Sequence, residues 1–313
     1  MAVKTEFSTQ DFETILSQFD LGEYRSFKPF KHGAVQTNLL LVTTNGQFVF
    51  RYYESRSKEY ALFEGELLEY LVAHSYPCPA PIRNRQGELV GVFNGKPLAL
   101  FQFLEGRHST SLTHYRQVTA AMGKLHTITL GYIPPYSETR DTYDPQSCWR
   151  NATVGAQKIG SETEAQERLR WLRTELDKLQ LPAELPKGIC HGDCHYSNFL
   201  YENGKLAAVL DFDDASYIPF LYDVANLIFF WTWENKGEID FVASRKLLKI
   251  YQRQRTLSDL EKQHLFDYLK MVIFMGIGWV FDTDEDFRNA RRKIDLLNTM
   301  GRDEFRRKMF KAL

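Results

Sequence analysis

Residues 189–213 read I-C-H-G-D-C-H-Y-S-N-F-L-Y-E-N-G-K-L-A-A-V-L-D-F-D, and this stretch decides how the rest of the chain is understood. Two apolar runs, 198–201 and 206–210, flank Asn203-Gly204. That dipeptide is the strongest short signal for a two-residue hairpin, because both positions tolerate positive φ. Polar side chains stand at both ends of the hairpin, His191, Asp193, His195 and Asn198 before it, Asp211 and Asp213 after it. Folding the hairpin is expected to bring Asn198 beside Asp211, with Asp193 on the loop leading in. Two oxygen ligands around an open position suit Mg²⁺, which keeps several waters and takes further ligands from substrate phosphates. A carboxylate nearby and free of metal can accept a hydroxyl proton, so the residue types point to phosphoryl transfer. The rival reading is a zinc cluster of Cys190, His191, Cys194 and His195, ligand types that zinc prefers. Its C-x3-C spacing matches no common finger, and no second Cys/His pair stands nearby.

The pattern H-G-D-x-H-x-x-N followed by D-F-D resembles the aminoglycoside phosphotransferase and choline kinase superfamily, relatives of the protein kinases. The resemblance implies a bilobal, protein-kinase-like α+β fold. Its parts would be a small antiparallel-sheet lobe that binds nucleotide (1–101), a linker (102–106) and a larger helical lobe for catalysis and acceptor binding (107–313). Position by position, it makes Asp193 the catalytic base and Asn198 and Asp211 the metal ligands. His191, His195 and Asp213 become supporting residues, and Asp223 the acid that braces the catalytic loop from below. ATP and Mg²⁺ are the implied cofactors, and a small molecule with a hydroxyl is the implied acceptor.

Within the superfamily, the start M-A-V-K-T-E-F-S, the Leu21-Gly-Glu block, G-A-V-Q-T-N at 33–38 and P-C-P-A-P-I-R-N-R-Q-G at 77–87 look like the type II homoserine kinases. Two positions depart from that branch. The loop is H-G-D-C-H where an H-A-D-L-F type is more usual, and Arg51 replaces a residue that is often uncharged. Homoserine is the expected acceptor, with aminoglycosides, choline and ethanolamine as alternatives. A non-catalytic pseudokinase would keep the fold, but the base and both metal ligands are present.

The chain has 313 residues, enough for two lobes, with 43% apolar and 14% aromatic content. A net charge of −1 argues against nucleic-acid binding, which needs a basic excess. Four scattered cysteines form no disulfide framework, no apolar run reaches membrane length and the N-terminus has no signal region, so a soluble cytoplasmic protein is expected.

Ser8-Thr-Gln-Asp11 has the form of a capping box and opens a helix that ends near Gly22. Strand-like runs at 24–30, 39–43 and 47–53 predict an antiparallel meander, and runs at 89–93 and 97–104 bring the small lobe to five strands. In the resembled family the first hairpin loop covers the nucleotide phosphates, which gives Gly33 that place. Arg51 falls where kinases put the cation that grips the α- and β-phosphates. Glu64, on a helix predicted over 59–74, falls where they put its acidic partner, with Glu66 as fallback. Gln102, Phe103 and Leu104 are expected to meet the adenine edge.

Beyond Gly106 the period becomes helical, over 115–128, 162–179, 224–233 and from the capping box Ser258-Asp-Leu-Glu261 onward. His126 reads as a packed histidine. Residues 131–158 show no period and are expected as a loop or short helices walling the acceptor pocket. Trp279 with the acids of 282–286 suits either a cationic acceptor or a solvated helix end. For the acceptor carboxylate, Arg107 or a cluster of backbone N–H groups is the candidate.

Overall fold

Alternating burial along Thr37–Thr43, with Thr37, Leu39 and Leu41 buried and Asn38 and Leu40 less so, marks a half-buried strand. The computed structural model describes residues 5–30, 35–233 and 237–311, and Gly33 therefore lies outside the described residues. In chain order the first elements are α1 (Thr9–Leu16), β1 (Tyr24–Pro29), β2 (Thr37–Thr43), β3 (Gly46–Tyr52), α2 (Lys58–Ala73), β4 (Pro81–Ile82), β5 (Gly91–Phe93) and β6 (Lys96–Gln102). There follow α3 (Tyr115–Ile128), α4 (Pro145–Ala156), α5 (Glu162–Leu176), β7 (Lys187–Cys190), β8 (Phe199–Glu202), β9 (Lys205–Val209) and β10 (Ser216–Pro219). Helices α6 (Leu221–Thr232), α7 (Phe241–Tyr251), α8 (Asp259–Trp279) and α9 (Asp284–Met309) complete the order.

The chain divides into two units, one of residues 1–109, 133–140 and 199–213, the other of 110–132, 141–198 and 214–313. The first is built on an antiparallel sheet of six strands, ordered β1-β2-β3-β6-β4 with β5 also on β6. Five strands are expected from the sequence. The sixth, β4, is two residues in the proline-rich segment, too short to show any alternation. Helix α1 begins with the expected capping box, Ser8 Oγ accepting from the Asp11 N–H while Asp11 accepts from the Ser8 N–H. Its buried face, Phe12, Ile15 and Leu16, packs with Phe7, Leu39, Leu41, Phe50, Tyr52, Leu98 and Leu100 into one apolar cluster. Hairpin β8–β9 belongs to this unit: Arg107 and Tyr201 exchange backbone hydrogen bonds, and the Val209 N–H donates to Pro77 O at 2.8 Å.

Glu54 ties together the start of the described chain and β2. Its Oε1 accepts from the Thr5 N–H at 2.7 Å and the Thr37 hydroxyl at 2.6 Å. Its Oε2 accepts from the Thr5 hydroxyl at 2.9 Å and from Lys96 Nζ at 2.8 Å. Burial opposes ionisation, but these four donors win, Lys96 foremost, and hold the carboxyl down at about 2. A depressed carboxylate contributes stability above its unfolded value, 4.5, and loses it as pH falls toward the folded one. The shift corresponds to something on the order of 3 kcal/mol. Glu54→Gln should therefore be clearly less stable than wild type in urea at pH 7, with the gap reduced by more than half at pH 3. An equal gap at both pH values would mean that these hydrogen bonds do not favour the charged form.

The second unit is mainly helical. Helix α6 is apolar nearly all round and buried over almost its whole length, as a central helix must be. A two-stranded antiparallel ribbon, β7 with β10, pairs Cys190 with Ser216 and Lys187 with Pro219. The segment expected as loop or short helices holds a full helix, α4, with Asp144 as its N-cap and Pro145 in the first turn. The apolar residues 271–275, with Ile277, are buried in the later part of α8, which ends at the exposed Trp279 and which the expected Ser258/Glu261 capping box opens. No helix among the described residues is long and apolar enough to cross a membrane.

Candidate active site

Strand β7 delivers the chain into the loop 191–198, and the backbone there is fixed from α6. Asp223 accepts from the His191 N–H at 2.7 Å and the Gly192 N–H at 3.0 Å. Asn226, one helical turn on, accepts from the Cys194 N–H at 2.7 Å and donates to Gly192 O at 3.2 Å, while Trp231 Nε1 donates to Cys194 O at 2.8 Å. Gly192 has φ +85°, and a Cβ there would sit 2.6 Å from Asp214 O and 2.8 Å from the Tyr143 hydroxyl, so no other residue fits.

On this fixed loop Asp193 is half-buried. One of its carboxylate oxygens accepts from Asn198 Nδ2 at 2.9 Å, the other from the His195 N–H at 3.2 Å. Asn198 Nδ2 also donates to the Asp193 carbonyl at 3.0 Å. His191 Nδ1 accepts from the Asp193 N–H at 3.3 Å, and His195 Nδ1 meets the Ser197 hydroxyl at 2.8 Å. Burial lowers the His195 pKa, with Asp193 opposing.

Beneath the loop, His126 Nε2 lies 3.0 Å from Asp223 and Nδ1 2.6 Å from the Tyr251 hydroxyl, with both His126 and Asp223 fully buried. Burial lowers the imidazole pKa, and Asp223 only partly offsets that. Burial would raise Asp223, but the bond from His126 and the loop N–H groups take it below the ordinary carboxylate value. The consistent assignment is a neutral His126 that donates to an ionised Asp223 and accepts from Tyr251.

The zinc reading fails on geometry. Among the described residues the one group of three ligand atoms within 4.8 Å of one another is His126, Cys190 and Asp223, not the four interleaved Cys and His residues. His126 and Asp223 are hydrogen-bonded as above. Cys190 Sγ faces Pro219 O at 3.4 Å, with its thiol pushed up by burial.

The sheet unit gathers a second group. Arg51 presents Nε to Asn38 at 2.9 Å, Nη1 to Glu64 at 2.6 Å and Nη2 to Asp211 at 3.1 Å. Glu64, not Glu66, is the partner, and its other oxygen accepts from the Tyr53 hydroxyl at 2.7 Å. Burial works against the Arg51 charge, but Glu64 and Asp211 outweigh it and hold the guanidinium firmly protonated. Hairpin β8–β9 pairs Phe199 with Val209 and turns through Asn203 (φ 49°) and Gly204 (φ 75°), so Asn198 leads into it and Asp211 follows it. Asp211 has φ 62°, a left-handed conformation that costs a non-glycine residue about 1–3 kcal/mol. The surroundings pin it there. Arg140, 6% exposed, donates to the carbonyls of Phe212 and Asp213 and lies with its guanidinium 3.7 Å from the Tyr60 ring centre.

Asp213 accepts from Gln36 Nε2 at 3.3 Å through one oxygen, and its other oxygen is buried with no hydrogen-bond partner. A buried, acceptor-only oxygen without a donor is the kind of group a hard divalent cation satisfies, so the donor set around Asp211 and Asp213 fits Mg²⁺.

Other expected residues are placed as follows. The Gln102 N–H donates to Ala80 O at 2.9 Å and is thus taken by the sheet, while Phe103 and Leu104 follow β6 half-buried. Of the acids at 282–286, Asp284 pairs with Arg168, Asp282 lies 3.9 Å from Lys158, and the first turn of α9 holds the last three. Reasoning from sequence missed Asn226 and Trp231, although polar Asp223 and Asn226 one turn apart in an otherwise apolar helix were a usable signal. It also missed Arg140, Tyr53 and Tyr251, which no local pattern marks.

The sequence model of the Phosphotransferase enzyme family matches residues 26–258, a span that includes both groups. A homoserine kinase of Nitrobacter winogradskyi is 32% identical over 272 residues, 85% of this chain and 81% of the relative. One of Caulobacter sp. is 32% identical over 84% of this chain and 82% of its own length. Among solved structures, an amicoumacin kinase in complex with AMP-PNP and Ca²⁺ superposes with a TM-score of 0.72 at 18% identity, covering 94% of this chain and 98% of that one. A choline kinase of Streptococcus pneumoniae gives 0.59 at 15% identity, covering 93% and 98%. These likenesses establish the kinase-like α+β fold, and the matched span together with the 32% identities settles the kinship: the chain belongs to the phosphotransferase enzyme family.

Proposed function

We propose that this protein is an ATP- and Mg²⁺-dependent small-molecule kinase that phosphorylates the hydroxyl of homoserine. The observation that carries the reaction class is the half-buried Asp193 carboxylate, oriented by Asn198 and the His195 N–H on a loop whose backbone is tied to Asp223, Asn226 and Trp231. A carboxylate held in this way accepts the proton of an acceptor hydroxyl without first having to be ordered. Arg51, set by Glu64 and Asn38, supplies a fixed positive charge for the nucleotide phosphates. Asn198 and Asp211, with Asp213 behind, would hold Mg²⁺, which when bound neutralises charge on the phosphates. Because such transfer passes through a loose transition state, positioning and electrostatics carry most of the rate. In this reading residues 1–101 bind nucleotide, 102–106 contact adenine through Gln102, Phe103 and Leu104, and 107–313 contain base and acceptor site. Four buried free cysteines agree with a reducing, cytoplasmic setting.

Homoserine is favoured by the relatives at 32% identity, which are homoserine kinases. The test is ADP release with homoserine, choline, ethanolamine and kanamycin side by side at saturating ATP and Mg²⁺. Homoserine should exceed each of the others by at least about tenfold in kcat/KM, a difference of roughly 1.4 kcal/mol. No turnover of homoserine beside clear turnover of another compound would remove the acceptor and leave the chemistry.

A further inference from the structure

Two lysines are buried among the described residues, and the fold treats them differently. Lys270, 2% exposed, has its ammonium met by Glu175 at 3.0 Å and Asn298 at 2.9 Å. Lys293 on α9, 7% exposed, has no acid or hydrogen-bond acceptor among the described residues. Its Nζ instead lies 4.5 Å from the Phe229 ring centre and 5.2 Å from that of Trp233. Burial takes its pKa down to about 8, with no charge among the described residues acting either way. Aromatic faces stabilise an ammonium but do not neutralise it, so among the described residues this buried cation has no counter-charge.

The place of Lys293 suggests where that counter-charge comes from. Phe229 and Trp233 stand at the carboxyl end of α6, the end that holds the catalytic loop through the Trp231 Nε1 bond to Cys194 O at 2.8 Å. His195, two residues after Asp193, has its ring 5.2 Å from Phe230, and Phe230 lies 5.0 Å from Phe229. Two ring contacts therefore separate the catalytic loop from the face that carries the lone ammonium. Arg107, a cation considered from the sequence alone, is exposed, and its backbone pairs with Tyr201.

We propose that Lys293 receives the carboxylate of the amino-acid acceptor, which makes it the residue that selects hydroxy amino acids over plain amino alcohols. The proposal rests on the homoserine reading above. One cation between two aromatic rings suits a single carboxylate better than a polyphosphate, which would call for several donors.

The test compares homoserine with 3-aminopropanol, the same chain without its carboxylate, in wild type, Lys293→Met and Lys293→Arg. Lys293→Met keeps the volume and the ring contacts, so it should fold and melt at or above the wild-type temperature. Its KM for homoserine should rise about 10–100-fold, the range for losing a hydrogen bond between charged groups, with kcat within about threefold. The KM for 3-aminopropanol should not move, and Lys293→Arg should recover part of the homoserine affinity. A purely structural lysine would shift both acceptors together or neither, and either result overturns the proposal. Should Lys293→Met not fold, the same comparison is read from Lys293→Arg and Lys293→Gln. Absence of homoserine turnover by wild type removes the acceptor reading and this inference together. Turnover that Lys293→Met leaves unchanged removes the inference alone.

Discussion

Asp193→Asn should lower kcat by roughly 10²–10⁴, the range for loss of a general base, while the KM for ATP stays within about threefold. The size follows from what the substitution leaves in place. The loop is held by Asp223, Asn226 and Trp231 through its backbone, not by the Asp193 side chain. An amide of the same shape can still accept from Asn198 Nδ2, but its NH₂ then faces the His195 N–H and that one hydrogen bond is lost. Chemistry is therefore removed and scaffold retained, and the variant should melt within a few degrees of wild type. Steady-state ADP release with homoserine, beside a thermal unfolding scan, makes the distinction. Turnover within threefold of wild type would take Asp193 out of the role of base, and a large loss of melting temperature would show that the carboxylate is structural.

How much of this was legible beforehand depended on the range of the interactions. The loop motif and the hairpin were readable because their determinants are local: Asn203 and Gly204 set the turn, and the side chains that bear chemistry sit within about a dozen residues on either side. Helices with strong start signals, Ser8/Asp11 and Ser258/Glu261, were likewise plain. The ribbon β7–β10 was not, since its register joins Cys190 to Ser216 across a hairpin and a turn that say nothing about that pairing. Helix α4 carried a readable signal, Asp144 before Pro145, but the segment's prolines read as breakers when the one at the first turn is a start. Helix α9, broken at Gly301 (φ 72°, ψ 165°), has acids at 284–286 in its first turn, and the segment after the break has Arg306, Arg307 and Lys308 in its last turn, each a charge that the nearer helix end favours. From sequence alone the acids of 282–286 suit either a cationic acceptor or a solvated helix end, and the structure shows the last three of them at a helix start. Glu64 was identified from the resemblance. That Tyr53 and Asn38 also hold the pair with Arg51 depends on sheet register, which no single strand encodes.

Asp223→Ala tests the opposite property, scaffold without direct chemistry, and should cost about 3–5 kcal/mol of stability together with most of the activity. Asp223 is fully buried and accepts three hydrogen bonds, from the His191 and Gly192 N–H groups and from His126. Truncation strands two buried backbone donors and an imidazole at once, at about 1–3 kcal/mol each before relaxation. Against an ordinary domain stability of roughly 5–15 kcal/mol the variant is near its limit at growth temperature. Asp223→Asn should fall between. One amide oxygen replaces two carboxylate oxygens, so its NH₂ meets either the Gly192 N–H, which alone then loses its acceptor, or the His191 N–H together with His126 Nε2. The expected order of melting temperature is wild type, Asn, Ala, and kcat should follow it, because the same bonds that stabilise the fold also aim Asp193. This coupling separates Asp223 from Asp193, whose amide variant loses rate alone. An Asp223→Ala protein that melted within about two degrees of wild type, or that lost rate without stability, would show that the loop is held by Asn226 and Trp231 and that the carboxylate acts on the substrate directly.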